Sequence, residues 1–305
     1  MYRFKPFLYF SFLTLFILST FILNSCYKLS GTQTIPAYIK IDSLYLETNY
    51  ASQGSDSQKI TDVWVYLNKN LIGVFELPAL FPVLAEGVND LEIRPGIWLN
   101  GIQSTRVPYP FYKPIVFSEF KFYPDSVQDL GNIKTTYYND LIFAWKEDFE
   151  QPGITLIETS ASDTVIKHTF PANNPDAFIS PNSKYSGIIS LTDEKPIYSA
   201  VSMNSFLLPK IQSDPVLLEL NFKSNNLFYV GLLMNLPGGL KKVPLLIMNH
   251  SEEWNKIYIN LGPNIALNSG ATNYKVYFES GLEYENELAK IYLDNIKLIH
   301  RPLQK

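Results

Sequence analysis

Cysteine is almost missing from this chain: 305 residues contain one. A single cysteine cannot close a disulfide within the chain, so a disulfide-stapled scaffold is excluded. Histidine is nearly as scarce. His168, His250 and His300 lie far apart in sequence, with no H-E-x-x-H or similar spacing, and a solvated or capping role is expected for each. No zinc set or Cys–His nucleophile can be assembled from so few groups. A basic surplus is also lacking, since 25 Lys+Arg face 29 Asp+Glu for a net charge of −4. That balance argues against nucleic acid as a partner, because a phosphate backbone needs a surplus of cations to neutralise it. G-x-S-x-G, P-loop and G-x-G-x-x-G motifs are absent, and Leu236-Pro237-Gly238-Gly239 reads as a turn. What is present is apolar: the chain is 46% hydrophobic, 14% aromatic and 18% charged. This is a globular rather than a disordered composition.

The apolar residues are unevenly spread. Arg3 and Lys5 are the only charges in residues 1–25, and the run from Phe7 to Leu23 carries none. A positive start followed by an apolar stretch is the pattern of an export signal. As a helix the run would extend about 25 Å, marginal for a hydrocarbon core of about 30 Å.

The one cysteine follows directly. Leu23-Asn24-Ser25-Cys26 resembles the bacterial lipobox, in which the signal is cut before the cysteine and that cysteine carries lipid. The resemblance implies cleavage between Ser25 and Cys26, and a diacylglycerol and palmitate anchor on Cys26. It also accounts for a lone cysteine in an oxidising compartment, since a thioether is not a free thiol. Cleavage would take Arg3 and Lys5 with it, leaving the mature chain more acidic than the whole. Surface lipoproteins of the Bacteroidetes, which this chain resembles, typically carry acidic residues after the lipidated cysteine. Tyr27-Lys28-Leu29-Ser30-Gly31 has none, so the periplasmic face of the outer membrane is expected over the cell surface.

Beyond a polar tether at 26–34, alternation dominates, which is the signature of half-buried strands. Tyr38 to Leu46, Val63 to Leu67 and Leu91 to Arg94 all alternate, with turn signals between them. The fold class expected is all-β: a small Ig-like β-sandwich over 35–137, then a jelly-roll β-sandwich over 138–305. The seam is placed at Gly131 to Asp140, which is polar and lacks a core pattern.

Two resemblances refine this. The order of a hairpin at Val63–Phe75, a Pro-punctuated loop, and a strand at Asn89–Ile97 closing in a glycine turn resembles the small Ig-like or PEGA-type β-domains of bacterial envelope proteins. That family is usually structural. The second part opens with Asp148-Phe149-Glu150, places Ser186-Gly187 before an apolar strand, continues with Trp254-Asn255-Lys256-Ile257-Tyr258-Ile259, and closes with Tyr292-Leu293-Asp294-Asn295-Ile296. This succession resembles the galactose-binding-like jelly roll of many carbohydrate-binding modules. In that family an acid of the first strand and one of the closing strand often hold a structural Ca²⁺. The matching positions are Glu150 and Asp294, with backbone carbonyls filling the six to eight oxygens calcium takes. The usual second acid of the last strand is Asn295 here. No cofactor is required by the reading.

Trp145, Tyr185, Tyr198, Tyr229, Trp254 and Tyr258 could stack on sugar rings, although their alternation with aliphatic residues also suits core packing. Val107-Pro108-Tyr109-Pro110-Phe111-Tyr112-Lys113-Pro114 cannot be a central strand. It either covers the gap between the two sandwiches or forms a protein-contact patch. Asp42-Ser43-Leu44, Asp125-Ser126-Val127 and Asp163-Thr164-Val165 resemble the Asp-Ser/Thr-apolar sites O-glycosylated in exported Bacteroidetes proteins. Strand placement argues against the first, leaving Ser126 and Thr164.

The function expected is that of a non-catalytic, lipid-anchored outer-membrane protein acting as an envelope scaffold or adhesion protein, its partners the membrane and another protein. The alternative is a carbohydrate-binding lipoprotein that engages a polysaccharide through the jelly roll. A glycan-active hydrolase comes third, since no two acids pair at a defensible spacing and Glu147, Asp148, Glu150 and Asp294 are the only candidates.

Overall fold

The computed structural model describes residues 35–180, 183–284 and 286–303. The expected signal, the tether, and the residues Ser25 and Cys26 lie outside the described residues.

The N-terminal part is built from β1 (Ala37–Ile41), β2 (Ser43–Glu47), a helical turn α1 (Tyr50–Gln53), β3 (Asp62–Leu67), β4 (Asn70–Glu76), β5 (Ala79–Val83), β6 (Gly87–Trp98), β7 (Arg106–Pro108), β8 (Ile115–Phe122), β9 (Val127–Asp129) and β10 (Asn132–Thr136). β3 and β4 form the expected hairpin. Its two turn residues, Asn68 and Lys69, both take positive φ, the backbone that matches the twist of a two-residue hairpin. One sheet has the order β4-β3-β6-β7, with β8 also on β6; a second is β5-β1-β9, and β2 pairs with β10. Between them lie Ile39, Ile41, Val63, Val65, Phe81, Leu91 and Ile93, with the Phe75 and Phe81 rings stacked 4.0 Å apart.

Three expectations here are corrected. The Tyr38–Leu46 run is not one strand: at Asp42, whose N–H donates to Gly131 O, the chain leaves the β5–β1–β9 sheet and pairs instead with β10. The glycine expected to end the Asn89–Ile97 strand lies inside β6, which runs on to Trp98. A Cβ at Gly96 would fall on the Asp62 carboxylate, so close packing is what requires glycine there. The seam at 131–140 is structured, with Ile133 and Thr135 buried in β10 and Tyr137 1% exposed.

The C-terminal part comprises β11 (Ile142–Glu147), β12 (Leu156–Glu158), β13 (Lys167–Thr169), β14 (Ser186–Thr192), β15 (Ile197–Ser202), β16 (Val216–Ser224), β17 (Phe228–Leu236), β18 (Gly239–Met248), β19 (Ser251–Asn260), a short helix α2 (Gly262–Leu267), β20 (Asn273–Gly281) and β21 (Leu288–His300). One sheet has the order β13-β14-β21-β16-β19 with β11 also on β21, and the other β12-β15-β20-β17-β18. Strands β14 to β21 are dealt between the two sheets in the order of a jelly roll. The described residues are therefore nearly all β and built into β-sandwiches, as the alternating sequence implies. Val216, Leu218, Leu220 and Phe222 of β16 face Val230, Leu232 and Met234 of β17 across the core. Each such side chain contributes about 1.5–3 kcal/mol by leaving water.

Strand β21 is the spine of the larger sheet. One edge pairs with β14 over its first half and with β11 over its second, while the other edge pairs with β16. Asp294 and Asn295 sit where β14 hands over to β11, and Asn295 takes φ +50 there. The outer face of this sheet is covered by the N-terminal part. Leu217, Tyr258 and Ile299 pack with Leu46, Ile97, Tyr109, Phe111, Tyr112 and Tyr137 in a cluster of their own. The Pro–aromatic run therefore fills the gap between the sandwiches. Its role as an exposed protein-contact patch is excluded, since Tyr109, Phe111 and Tyr112 are all buried.

Candidate functional site

The two sheets of the C-terminal sandwich have unlike outer faces. On the β16–β21–β19 side, odd-numbered positions of β16 point away from the core and would be solvated in an isolated sandwich. Here they carry Glu219, which is fully buried. Its Oε1 accepts from Tyr109 Oη at 2.5 Å and Tyr137 Oη at 2.8 Å, and its Oε2 lies 3.0 Å from Lys256 Nζ. Lys297 Nζ donates to Ser55 O at 2.5 Å, and Ser57 Oγ donates to Asn221 Oδ1 at 2.8 Å. Burial alone would raise the Glu219 carboxyl, but the charges of Lys256 and Lys297 and the Tyr109 hydroxyl outweigh it and hold it below its ordinary value. Burial pushes Lys297 the other way, down to about 7. This face is an internal seam.

The opposite face, on β12-β15-β20-β17-β18, is open. Position 231 on β17 is glycine, and the Tyr277 ring of β20 lies across it, where a Cβ would collide with the ring. That ring is itself buried and forms the floor of the face. The Lys242 ammonium of β18 stands 4.6 Å from the Tyr277 ring centre and pairs with Glu279. Glu279 Oε1 also accepts from Ser199 Oγ at 2.8 Å, which in turn accepts from Thr159 Oγ1 at 2.9 Å. Burial first, then the Glu279 charge, push the Tyr277 hydroxyl up to about 12. Tyr229 of β17 stands opposite Glu279 on one neighbouring strand and Ile247 on the other. Beside the polar line the face is apolar and exposed: Tyr229 at 40%, Ile247 at 52% and Ile157 at 44%. An exposed aromatic ring beside a carboxylate and an ammonium can stack on a polyol ring and hydrogen-bond its edge.

The aromatic candidates from sequence separate cleanly. Trp145 and Tyr198 are core residues and Tyr258 belongs to the seam, whereas Tyr185 and Tyr229 remain exposed. Trp254 donates its indole N–H to Asp176 O and packs edge-on against Phe178. Sequence reasoning misses Tyr277, Lys242, Glu279 and Ser199. The signal that points to the first is Gly231, a glycine inside an otherwise apolar strand, which marks a close approach.

The acids also have definite places. Glu147 accepts from the N–H of Phe149 and from both the N–H and hydroxyl of Thr155, so its carboxylate is a loop staple. Glu150 Oε1 accepts from the N–H groups of Lys184 and Tyr185, and Asp148 Oδ2 from Tyr50 Oη. Asp294 is buried, with Oδ2 accepting from Ser183 Oγ and Oδ1 from its neighbour Asn295 N. Burial is the main cause that raises its carboxyl well above the ordinary range, and the charges of Asp148 and Glu150 raise it further. These residues fit the expected calcium poorly. Both Asp294 oxygens are engaged, as is Glu150 Oε1. Among the described residues no three His, Cys, Asp or Glu side chains are close enough to share an ion. The Asn295 amide is buried without a partner on either atom.

Ser126 donates to Tyr123 O in a turn, and Thr164 lies in a loop with its carbonyl accepting from Ser162 Oγ. Ser43, expected to be hidden by its strand, is exposed on β2.

No family model and no curated relative matches the sequence. Among solved structures, the CBM22-2 xylan-binding domain of Paenibacillus barcinonensis is 15% identical, with 52% of this chain and 99% of that one covered at a TM-score of 0.36. The family 11 carbohydrate-binding module of a cellulosomal cellulase of Clostridium thermocellum is 17% identical, with 52% and 94% covered at 0.33. The enzymatically active domain of tailspike protein 4 of bacteriophage CBA120 is 10% identical, with 48% of this chain but 19% of that one covered, at 0.36. At these values no property of those proteins transfers to this chain.

Proposed function

We propose that the protein is a non-catalytic, glycan-binding envelope lipoprotein, anchored through Cys26 at the periplasmic face of the outer membrane, with two β-domains over 35–137 and 138–305. The observation that carries the glycan reading is the open sheet face, where exposed Tyr229 stands opposite Glu279, and Glu279 and Lys242 meet above the Tyr277 ring. The scaffold reading loses its motive, because the Pro–aromatic run that suggested a protein partner is spent inside the molecule. Affinity electrophoresis against a panel of neutral and acidic polysaccharides tests the proposal. Retardation by at least one polymer, weakened in Tyr229→Ala and Lys242→Ala, is the result expected; equal mobility in every gel overturns it. The anchor is tested separately. Metabolic labelling with palmitate should mark the parent protein and not Cys26→Ala, and an unlabelled parent or equal label in both would refute lipidation at that residue.

A further inference from the structure

Next to the buried Glu219 group, the seam between the two sandwiches forms a partly open pocket of about 160 Å³. That is close to the roughly 150 Å³ of an engineered cavity that admits benzene, so a guest of about five or six heavy atoms fits. Lys59, Thr61 and Trp98 line it from the N-terminal part, and Asn255, Lys256 and Tyr258 from β19.

The chemistry of this lining is one-sided. It contains two lysines and no carboxylate. The Trp98 indole N–H is buried with no hydrogen-bond partner, and so is Lys256 Nζ, whose side chain is 2% exposed. Lys256 Nζ is ion-paired with Glu219 Oε2 at 3.0 Å, which balances its charge, but the pair is out of hydrogen-bonding geometry and leaves its N–H groups free to donate. Lys59 Nζ takes up the acceptor of Asn255 at 2.6 Å and stands 5.6 Å from the centre of the Trp98 ring. Arg106 lies 5.9 Å from the same ring, but its charge is matched by an ion pair with Glu76. Thr61 gives its hydroxyl hydrogen to Asp62 Oδ2, just outside the lining. Burial lowers Lys59 from its ordinary value, which states the same imbalance as a cost of holding charge there. Buried donors without acceptors are rare in folded proteins because each forfeits its hydration, on the order of 1–3 kcal/mol. A negatively charged guest with several acceptor oxygens would satisfy Trp98 Nε1, Lys256 Nζ and Lys59 Nζ together.

We infer that this pocket is a binding site for a small oxyanion, either a tetrahedral oxoanion or a carboxylate group, held between the two sandwiches by Lys59, Lys256 and the Trp98 indole N–H. The site lies on the other side of the larger sheet from the open face and is independent of the glycan reading. Because both parts of the chain supply donors, occupancy also ties one sandwich to the other.

The test is calorimetric titration of the full-length protein in detergent with phosphate, sulfate, acetate and lactate, with ionic strength held constant by chloride. Saturable one-to-one binding of at least one anion is expected. Affinity should fall about tenfold or more in Lys59→Met and in Trp98→Phe, each of which deletes one donor and keeps most of the volume. Lys256→Met should abolish binding, but it strands Glu219, so the first two variants decide the matter if it fails to fold. Phosphate or sulfate binding alone identifies a free oxoanion site. Binding of the carboxylates alone identifies an acid-bearing guest. Absence of saturable binding by all four means that the pocket holds only water and overturns the inference, as does binding that Lys59→Met and Trp98→Phe leave unchanged.

Discussion

Tyr109 and Glu219 are 110 positions apart in the chain, yet the tyrosine hydroxyl donates to the carboxylate at 2.5 Å in a site closed to solvent. The tyrosine comes from the Pro–aromatic run and the glutamate from the middle of a strand in the larger jelly-roll sheet. The contact is a charge-assisted hydrogen bond between the two halves of the molecule.

Glu219→Gln should therefore destabilise the protein strongly. It leaves Lys256 and Lys297 buried without their counter-charge, a loss typically of about 3–5 kcal/mol. Tyr109→Phe removes one donor and keeps the ring, for a loss of about 1.5–3 kcal/mol. Urea unfolding followed by tryptophan fluorescence measures both. A Glu219→Gln protein as stable as the parent would show that the buried charges are not coupled.

Stability should depend on pH through Lys297. Its folded value is about 7 against an ordinary 10.5. Below 7 both states carry the proton and the full burial penalty is present. Between about 7 and 10.5 the unfolded chain holds a proton that the folded one has released, so stability rises with pH, by at most about 1.4 kcal/mol per unit. Lys297→Met should remove that rise. A parent curve that is flat or falling over this window contradicts the assignment.

Gly187→Ala should unfold the jelly roll more easily. A Cβ there would lie 2.5 Å from the Phe149 ring and 2.7 Å from Ile166 Cδ1. Overpacking of this kind costs about 1–3 kcal/mol, read as a lowered urea midpoint with an unchanged slope. Gly153, which has open space around its Cβ position, is the control and should tolerate alanine.

Millimolar calcium should leave the thermal midpoint where it is. The acids that resemble a calcium set already accept hydrogen bonds, and Asp294 sits far above the ordinary carboxylate range. A calcium-dependent rise, abolished in Asp294→Asn, would restore the metal.

The fold is legible because strand alternation is a local signal. Val63 to Phe75 reads as a hairpin, and Val216 to Phe222 as a core strand, from their own residues. The sheet switch at Asp42 leaves only a slip of one residue, the apolar positions passing from odd (Ile39, Ile41) to even (Leu44, Leu46), and that slip does not say which strand becomes the new partner. The buried seam is hidden for a related reason. Glu219, Lys256 and Lys297 are charged residues that a lone sandwich would leave to water, and only the arrival of residues eighty or more positions away buries them. Of the open face, Tyr229 can be named from sequence. Lys242 and Glu279 cannot, since their meeting depends on the pairing of β17 with both β18 and β20.

Strand β21 bears on how the molecule assembles in time. It is the last strand among the described residues, and it supplies a hydrogen-bonding edge to β11, β14 and β16 alike. Until it is in place, those three strands have no common neighbour, and the seam lacks Lys297 and Ile299. Contacts between strands far apart in sequence close slowly, because a long loop must be ordered first. A growing or truncated chain lacking β21 would leave strand edges and the tyrosine-rich surface unpaired and prone to self-association. Without the strand Leu288–His300 the larger sheet therefore falls into separate pieces, β11, β14 and β16–β19, rather than losing one edge.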